Sequence, residues 1–574
     1  MHRFAQLYQE LDASTSTRHK LDALRRYWGE APAADAAWAV YFLAGGRPRR
    51  TLTSTALRQW AAARAGIADW LFEVSYQTVG DLAETISLLL PAQPTRDTTP
   101  LSVWMCERLL PWRALPAEAQ WATLSAWMDA LDPTQRFVLI KLIGGGWRVG
   151  VSRQLVVRSL AEHCGLPVPL VAQRMMGYTD NRHQPDAAAY SALVAPPPEG
   201  SDAHDTRPPG IQPYPFFLAH PLDALPADPV DAWLAEWKFD GIRAQLVARG
   251  GQCGIWSRGE ELLNESFPDL LALAATWPDG TVLDGEVVVR DDAPAADSGP
   301  LAAWGWRPAP FARLQTRIAR KQLTRRLLEA NPAAFIAYDI LEWQGQDLRG
   351  KTQAQRRTLL EQVTPTLGLP TSPLVTAQDW AGLATHRASA RATGLEGLML
   401  KHRDARYGTG RTRSDGVWLK WKLDPMTVDA VLVYAQAGHG RRANLYTDYT
   451  FAVWSRPPAD DTEVQRVQDA ISARQPAQPG ALQLVTFAKA YSGLNDAELQ
   501  AVDKVIRQTT VDRFGPVRSL RPTLVFELGF EGIAASPRHK SGLAVRFPRI
   551  LRWRTDKPLR DADTLEALRT CLPE

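Results

Sequence analysis

From Ala195-Pro196-Pro197-Pro198 to Pro208-Pro209-Gly210 the chain is built of Pro, Gly, Asp and small polar residues, which sustain neither a helix nor a strand ladder. A chain broken in this way folds as separate bodies, and 574 residues are more than one hydrophobic core serves. Before the break, Leu21, Leu24 and Trp28, and then Val79, Leu82, Ala83, Ile86 and Leu90, recur at helical spacing. After it, from Trp233, short apolar runs end at charged residues, as in Val282-Leu283-Asp284 and Phe335-Ile336-Ala337-Tyr338-Asp339, with helical stretches between them. Beyond Trp418 to Lys422 the segments Val428 to Tyr434, Tyr449 to Trp454 and Thr523 to Leu528 read as strands of a small barrel, separated by turns with Gly and Asn. The pattern predicts three domains: all-α over 1–208, α+β over 209–425 and all-β over 426–574. The Ala/Pro/Asp-rich stretch from Asp291 to Pro310 reads as a surface loop.

An apolar fraction of 45% beside 22% charged residues excludes disordered and collagen-like chains. The start, Met1-His2-Arg3, lacks the apolar block of a signal peptide, and no stretch approaches the twenty apolar residues of a membrane span. A cytosolic or nucleoid-associated protein without a membrane partner is expected. Cys106, Cys164, Cys253 and Cys571 form no CxxC pair, so reduced, buried thiols are expected rather than a zinc site. A net charge of +4 does not decide nucleic-acid binding, but its distribution bears on it. Between Arg538 and Arg560 lie Arg538, Lys540, Arg546, Arg549, Arg552, Arg554, Lys557 and Arg560 against the single acid Asp556, a stretch suited to a polyanion or to a solvated face.

The string Glu236-Trp237-Lys238-Phe239-Asp240-Gly241-Ile242-Arg243 carries the most chemical information. A free lysine has a pKa of about 10.4 and is a poor nucleophile at neutral pH, so covalent catalysis by Lys238 needs neighbouring cations, a metal or desolvation. A KxDG quartet alone arises by chance and more often marks a charged strand end. It is followed, however, by Ser257-Arg258-Gly259-Glu260, Leu283-Asp284-Gly285-Glu286, Tyr338-Asp339, Glu396-Gly397-Leu398-Met399-Leu400-Lys401, Trp418-Leu419-Lys420-Trp421-Lys422 and Arg546-Phe547-Pro548-Arg549 through Asp556-Lys557. Phosphoryl transfer asks a protein for positioned cations and metal-binding carboxylates, and these strings supply both. Lys420 and Lys422, two apart on a strand, share one face.

In this order the strings resemble the motifs of the covalent nucleotidyltransferases, and from about Tyr214 to the C-terminus the chain is similar to the ATP-dependent DNA ligases, of the bacterial three-domain type. Phe137 to Val151, with Gly144-Gly145-Gly146-Trp147-Arg148, resembles their helical DNA-binding domain. The resemblance implies an adenylyltransferase core of the ATP-grasp-like nucleotidyltransferase kind and an OB-fold barrel, acting as a monomer that encircles nicked double-stranded DNA. It implies ATP as AMP donor, with Lys238 as nucleophile and Asp240, Lys420 and Lys422 as catalytic partners. Glu236, Arg243, Arg258, Glu286, Tyr338, Arg413, Arg554 and Lys557 are implied around the nucleotide, with Tyr338 stacked on adenine and Glu236 at its amino edge. Glu286 and Glu396, each expected to end a strand, would hold Mg2+. Arg148, Arg441 and Arg442 would meet DNA phosphates.

An RNA ligase or a GTP-using capping enzyme would share the Lys238 chemistry without predicting the long helical N-terminal part. An NAD-dependent enzyme would carry a four-cysteine zinc module, which is absent. A non-catalytic clamp would not need the lysine and both carboxylates.

Overall fold

The stretch ahead of the linker folds as helices because apolar residues recur at helical spacing and a hydroxyl or carboxylate starts many of the segments. A computed structural model describes the chain except at residues 15, 48–51, 80, 92–96, 145–146, 148–149, 180–183, 197–207, 209, 293–298, 319, 321–322, 439–444, 479, 492 and 573–574. Helices include His2–Ala13, Thr17–Glu30, Ala33–Leu43, Ser54–Ala65, Asp69–Val79, Leu82–Leu89, Ala117–Ala130, Pro133–Gly144, Arg153–Cys164 and Val168–Arg174. Ser16, Ser152 and Asp186 each accept a backbone N–H three residues on, which satisfies a donor the first helical turn leaves unpaired. Leu21, Leu24 and Trp28 are buried, and the Trp28 indole donates to Ser159 Oγ at 3.0 Å. Among the described residues no single helix is long and apolar enough to cross a membrane.

Two compact units emerge, and they do not follow chain order. One takes Met1–Thr51, Arg96–Ala130 and Lys141–Leu423, and the other Leu52–Thr95, Leu131–Ile140 and Asp424–Glu574. In the first, the half-buried Trp147 packs against Phe4, Tyr8 and Phe42 with ring centroids 5.2–5.5 Å apart.

The rest of this unit is built on two antiparallel-dominated sheets, accompanied by helices such as Pro268–Ala274, Gln353–Val363 and Trp380–Ser389. Among the described residues ten strands make them: β1 His220–Pro221, β2 Trp233–Trp237, β3 Ile242–Arg249, β4 Gln252–Ser257, β5 Thr281–Asp291, β6 Arg307–Pro308, β7 Ala333–Trp343, β8 Gln346–Asp347, β9 Gly397–His402 and β10 Trp418–Lys422. The larger sheet has the order β4-β3-β5-β7-β8 with β6 on β5, and the smaller β1-β10-β9-β2. In the smaller sheet Glu236, Met399 and Lys420 stand in one cross-strand row. Residues two apart share a face, so Lys238, Lys401, Trp418 and Lys422 stand on the same side as that row. The opposite side, with Trp237, Leu398, Leu400, Leu419 and Trp421, joins an apolar cluster with Leu383 and Leu395. In the larger sheet Arg243 and Glu286 are direct partners, and the register shifts so that Tyr338 is an extra residue between the pairs Asp284–Asp339 and Gly285–Ala337. Such a bulge re-aims a side chain.

The second unit contains an antiparallel barrel sheet. Its strands are β11 Met426–Ala437, β12 Tyr446–Trp454, β13 Leu484–Ala490, β14 Thr510–Phe514, β15 Val517–Leu520, β16 Val525–Phe530, β17 Gly532–Ala535, β18 Leu543–Arg546 and β19 Arg549–Trp553. The order is β13-β12-β11-β15-β14, with β16 bridging β11 and β19 and a separate β17-β18 hairpin. Twelve-residue β11 pairs with β16 along its first half and β15 along its second, which curls the sheet around Val428, Phe451, Phe526 and Ile550. Helices Asp461–Ser472 and Asp496–Thr509 accompany the strands.

Three expectations need correction. Glu286 lies inside β5 rather than at its end, and β7 likewise runs on past Asp339. The strands continue through these charges because Asp284 is paired to Arg243 and Asp339 to Arg356, with neither carboxylate exposed. The stretch expected as a surface loop is partly built in: Leu301 is buried, Arg307 and Pro308 pair with β5, and Phe239, Trp304 and Trp306 stack with centroids 5.9 and 5.0 Å apart. Its apolar side chains outweigh its loop-like composition. The cysteines are free, but Cys106 is exposed and the other three are only partly covered.

Candidate active site

Lys238 follows β2 directly, and its backbone extends the ladder to the neighbouring strand. Its N–H donates to Gly397 O and its carbonyl accepts from Glu396 N, both at 2.8 Å. That register brings together two residues far apart in sequence, and the Lys238 ammonium forms an ion pair with Glu396. Asp240 and Gly241 form the turn into β3. A Cβ on Gly241 would stand 2.4 Å from Val287 O and 2.8 Å from Glu286 Cγ, so only glycine lets this turn pass so close to β5.

Glu286 is half-buried and its carboxyl is pushed up to about 8, chiefly by desolvation. Lys238 and Arg243 oppose that shift, while Glu396 and Asp284 add to it. Two carboxylates crowded in this way favour a divalent cation. Among the described residues no third His, Cys, Asp or Glu completes a metal cluster. Two hard carboxylate donors are suited to an ion that takes its other ligands from water and phosphate, as Mg2+ does.

Lys420 is held below the usual lysine range by burial and then by Arg411, Lys422, Lys238 and Arg258, in that order. These neighbours are all cations, a costly arrangement unless an anion occupies the space between them. Arg258 is exposed at the end of β4 and donates its N–H to Arg243 O at 3.0 Å.

Behind this cluster the Lys401 ammonium lies 4.6 Å from the centroids of both Tyr338 and Trp418, donates to Tyr338 O at 2.7 Å and pairs with Glu236 at 2.9 Å. Burial pushes Lys401 down, with Glu236 opposing. Arg357 approaches the same Glu236 oxygen at 3.4 Å, so the Glu236 carboxylate is bound by two cations. Arg243 grips Asp284 through Nη2 at 2.7 Å and Nε at 3.1 Å, and the Tyr407 hydroxyl donates to the same carboxylate at 2.6 Å. Its guanidinium is flanked by Phe216 and Trp418 at 5.3 and 5.4 Å.

Lys238, Glu236, Arg243, Arg258, Glu286, Tyr338, Glu396, Lys420 and Lys422 thus all lie on the two sheets or the turns beside them. Arg411 and Arg413 are both exposed, and Arg411 is among the cations whose charge acts on Lys420. Gly408-Thr409-Gly410-Arg411-Thr412-Arg413 offered both, and nothing local separates them. Lys401, Tyr407 and Arg357 were also missed as site residues; a lysine placed among apolar strand residues was the available signal for Lys401. Arg554 and Lys557 belong to the second unit, where both bind Asp429. Arg148, Arg441 and Arg442 lie outside the described residues.

Charge sets the class. Cations gathered around one lysine, with an aromatic ring and a carboxylate pair close by, are neutralised by a nucleotide's phosphates, and this places the protein among the nucleotidyltransferases. Three family profiles match: "DNA ligase N terminus" over residues 1–161, "ATP dependent DNA ligase domain" over 217–422 and "ATP dependent DNA ligase C terminal region" over 472–557. A "DNA ligase" of Natronomonas pharaonis is 30% identical over 76% of this chain and 71% of its own length. A "Probable DNA ligase" of Koribacter versatilis is 27% identical over 99% of this chain and 95% of its own. The solved structure "Pmar-Lig_PreS3", 15% identical, shares the fold with a TM-score of 0.56 across 96% of this chain and 99% of that one. The chain belongs to the ATP-dependent DNA ligase family.

Proposed function

We propose that Lys238 is the nucleophile that takes AMP from ATP and passes it to the 5′-phosphate of a nick in duplex DNA. The observation that carries this is the position of its ammonium, ion-paired to Glu396 and within the field of Lys420 and Glu286. In the first step the lysine nitrogen, having lost its proton, attacks the α-phosphorus. An N–P bond forms, the bond to the bridging oxygen breaks, and diphosphate leaves. In the second the 5′-phosphate oxygen displaces the lysine, which regains a proton. In the third the 3′-hydroxyl attacks the 5′-phosphorus and AMP departs.

Lys420, Lys422, Arg258 and Arg411 are suited to stabilise charge on the transferring phosphate. Tyr338, re-aimed by its bulge and backed by Lys401, is suited to stack on the adenine, and Glu236 to meet its edge. Glu286 and Glu396 would hold Mg2+, which when bound would neutralise phosphate charge. Asp240 and Arg413 stay in the reading as further contacts of this centre. Residues 1–208 would form the DNA-binding domain, 209–425 the adenylation domain and 426–574 the OB domain, with Arg148, Arg441 and Arg442 on the DNA backbone. We further propose a cytosolic monomer that closes around the nicked duplex.

Transfer of label from α-labelled ATP to the purified protein, and its release by nicked duplex, tests this reading. Label accepted by the wild type but equally by Lys238→Ala would overturn it. GTP as the better donor would instead support the capping-enzyme class.

A further inference from the structure

Asp429 is the second residue after Thr427 in β11, between the buried Val428 and Ala430, and is itself only 8% exposed. Its backbone is fixed twice: N–H donates to Asp563 Oδ2 at 2.7 Å, and its carbonyl accepts from Asp563 N at 2.8 Å. Its Oδ2 accepts from two cations at once, Arg554 Nη1 at 2.8 Å and Lys557 Nζ at 2.7 Å. Among the described residues its Oδ1 has no hydrogen-bond partner. Arg554 also holds the exposed Asp556 through Nε and Nη2 at 2.9 and 2.8 Å. The carboxylate is the least exposed member of the Asp429–Arg554–Lys557 group, with side chains 11%, 16% and 22% exposed in that order.

We infer that Asp429 is a positioning residue that holds Arg554 and Lys557 side by side as one phosphate-binding pair. This rests on the expectation, implied by the resemblance, that Arg554 and Lys557 lie around the nucleotide, where the phosphates left for them in the first step are those that depart as diphosphate. Two like charges brought this close repel unless an anion stands between them. A carboxylate fixed in a strand ladder beneath them supplies that anion and stays out of the ligand's way. Lys557 spends one of its three donors on Asp429, and the guanidinium of Arg554 keeps an unused N–H on Nη1, so both retain capacity for phosphate oxygens. Ordering the pair before ATP arrives removes an entropic cost from the first step. The orphan Oδ1 is consistent with a carboxylate kept for its charge rather than for a saturated hydrogen-bond network. Inorganic diphosphate leaves only in the first step; the diphosphate bridge of the adenylylated nick is formed and broken later without releasing it, so the effect belongs to the first step and its reversal.

The test uses the full-length protein, with single-turnover adenylylation from ATP, discharge of preformed lysyl-AMP by inorganic diphosphate, and sealing of a nick supplied already adenylylated. Asp429→Asn, which keeps shape and loses charge, is expected to lower kcat/KM for ATP and the diphosphate discharge by at least about tenfold, with KM carrying much of the change. Sealing of the adenylylated nick stays within about twofold. Asp429→Glu, which keeps the charge, recovers most of the loss; a role in packing alone would rank the two variants the other way, and that ranking overturns the proposal. Should Asp429→Asn fail to fold, the glutamate variant and the diphosphate discharge carry the test. The double variant Arg554→Ala with Lys557→Ala separates the two levels. If it adenylylates normally, the diphosphate reading itself is wrong. If it is inactive in that step while Asp429→Asn matches wild type, the clamp stands and its positioning by Asp429 is refuted.

Discussion

Lys238 and Glu396 are joined by main chain and side chain together: two backbone hydrogen bonds of 2.8 Å fix them on neighbouring strands, and their side chains form an ion pair. The position of Lys238 is therefore set by the sheet rather than by a loop, and a substitution there should leave the fold intact. Lys238→Ala should abolish self-adenylylation, and Lys238→Arg should fail equally, because a guanidinium can keep the partner yet does not give up its proton. Circular dichroism and label transfer on the same preparations check this. A labelled arginine variant would contradict it.

Glu286→Ala and Glu396→Ala each remove one of two hard oxygen donors from a site that a phosphate chain would crowd with charge. The concentration of Mg2+ needed for half-maximal adenylylation should rise by about tenfold or more in each variant. Chelation should stop wild-type turnover. Unchanged magnesium titrations in both variants would dispose of this assignment.

The cluster around Lys420 has a pH consequence. Its folded-state pKa is lowered by burial and by Arg411, Lys422, Lys238 and Arg258, so its charge is lost as pH rises through a value below that of an ordinary lysine. An activity that needs the charged form is present below that value and falls above it. The alkaline limb of kcat/KM for ATP should therefore lie lower than an unperturbed lysine would give, since that parameter reports the free enzyme. Arg411→Gln removes a neighbouring cation, lets Lys420 keep its proton longer and should move the limb to higher pH. A limb that stays put under Arg411→Gln assigns the titration elsewhere.

Arg153, in the first turn of helix Arg153–Cys164, forms an ion pair with Glu260 of the loop that carries Arg258. Glu260 holds a positive φ of 64°, and its carboxyl is raised mainly by desolvation, with Arg153 pulling the other way. Gln154 approaches Gly410 in the segment that carries Arg411, where an added Cβ would stand 3.4 Å from its amide nitrogen. Breaking the pair should loosen a cation-bearing loop as well as the helical part. We expect Arg153→Glu or Glu260→Arg to raise the KM for ATP several-fold and the exchanged pair to recover it. A double-mutant cycle on thermal stability should give a coupling of about 1–3 kcal/mol. Additive single effects would mean that the contact does not couple these elements.

Arg356 and Asp339 are both fully buried and meet through two hydrogen bonds of 2.8 and 3.0 Å. Removing one partner leaves the other charge unpaired. Asp339→Ala should destabilise the adenylation region by about 3–5 kcal/mol, visible as a lowered thermal transition. An unchanged transition would show that water or a local rearrangement replaces the lost partner.

The sequence by itself determined the helical character of the first two hundred residues, the order of chemical strings from Lys238 to Lys557, and the shared face of Lys420 and Lys422. All of these follow from spacings of two to four residues, which a local pattern encodes. It also marked Lys238 and its carboxylates, because the chemistry demands those residue types. Only the tertiary structure decided that Arg411 acts on Lys420, and that Lys401 stands between Glu236 and Tyr338. The bulge that turns Tyr338, and the seating of Arg554 and Lys557 on Asp429, were likewise set there. Those pairings join residues that are mostly more than sixty positions apart along the chain. They are fixed by strand register and by the cost of leaving a buried charge alone, and neither quantity exists until the sheets have formed.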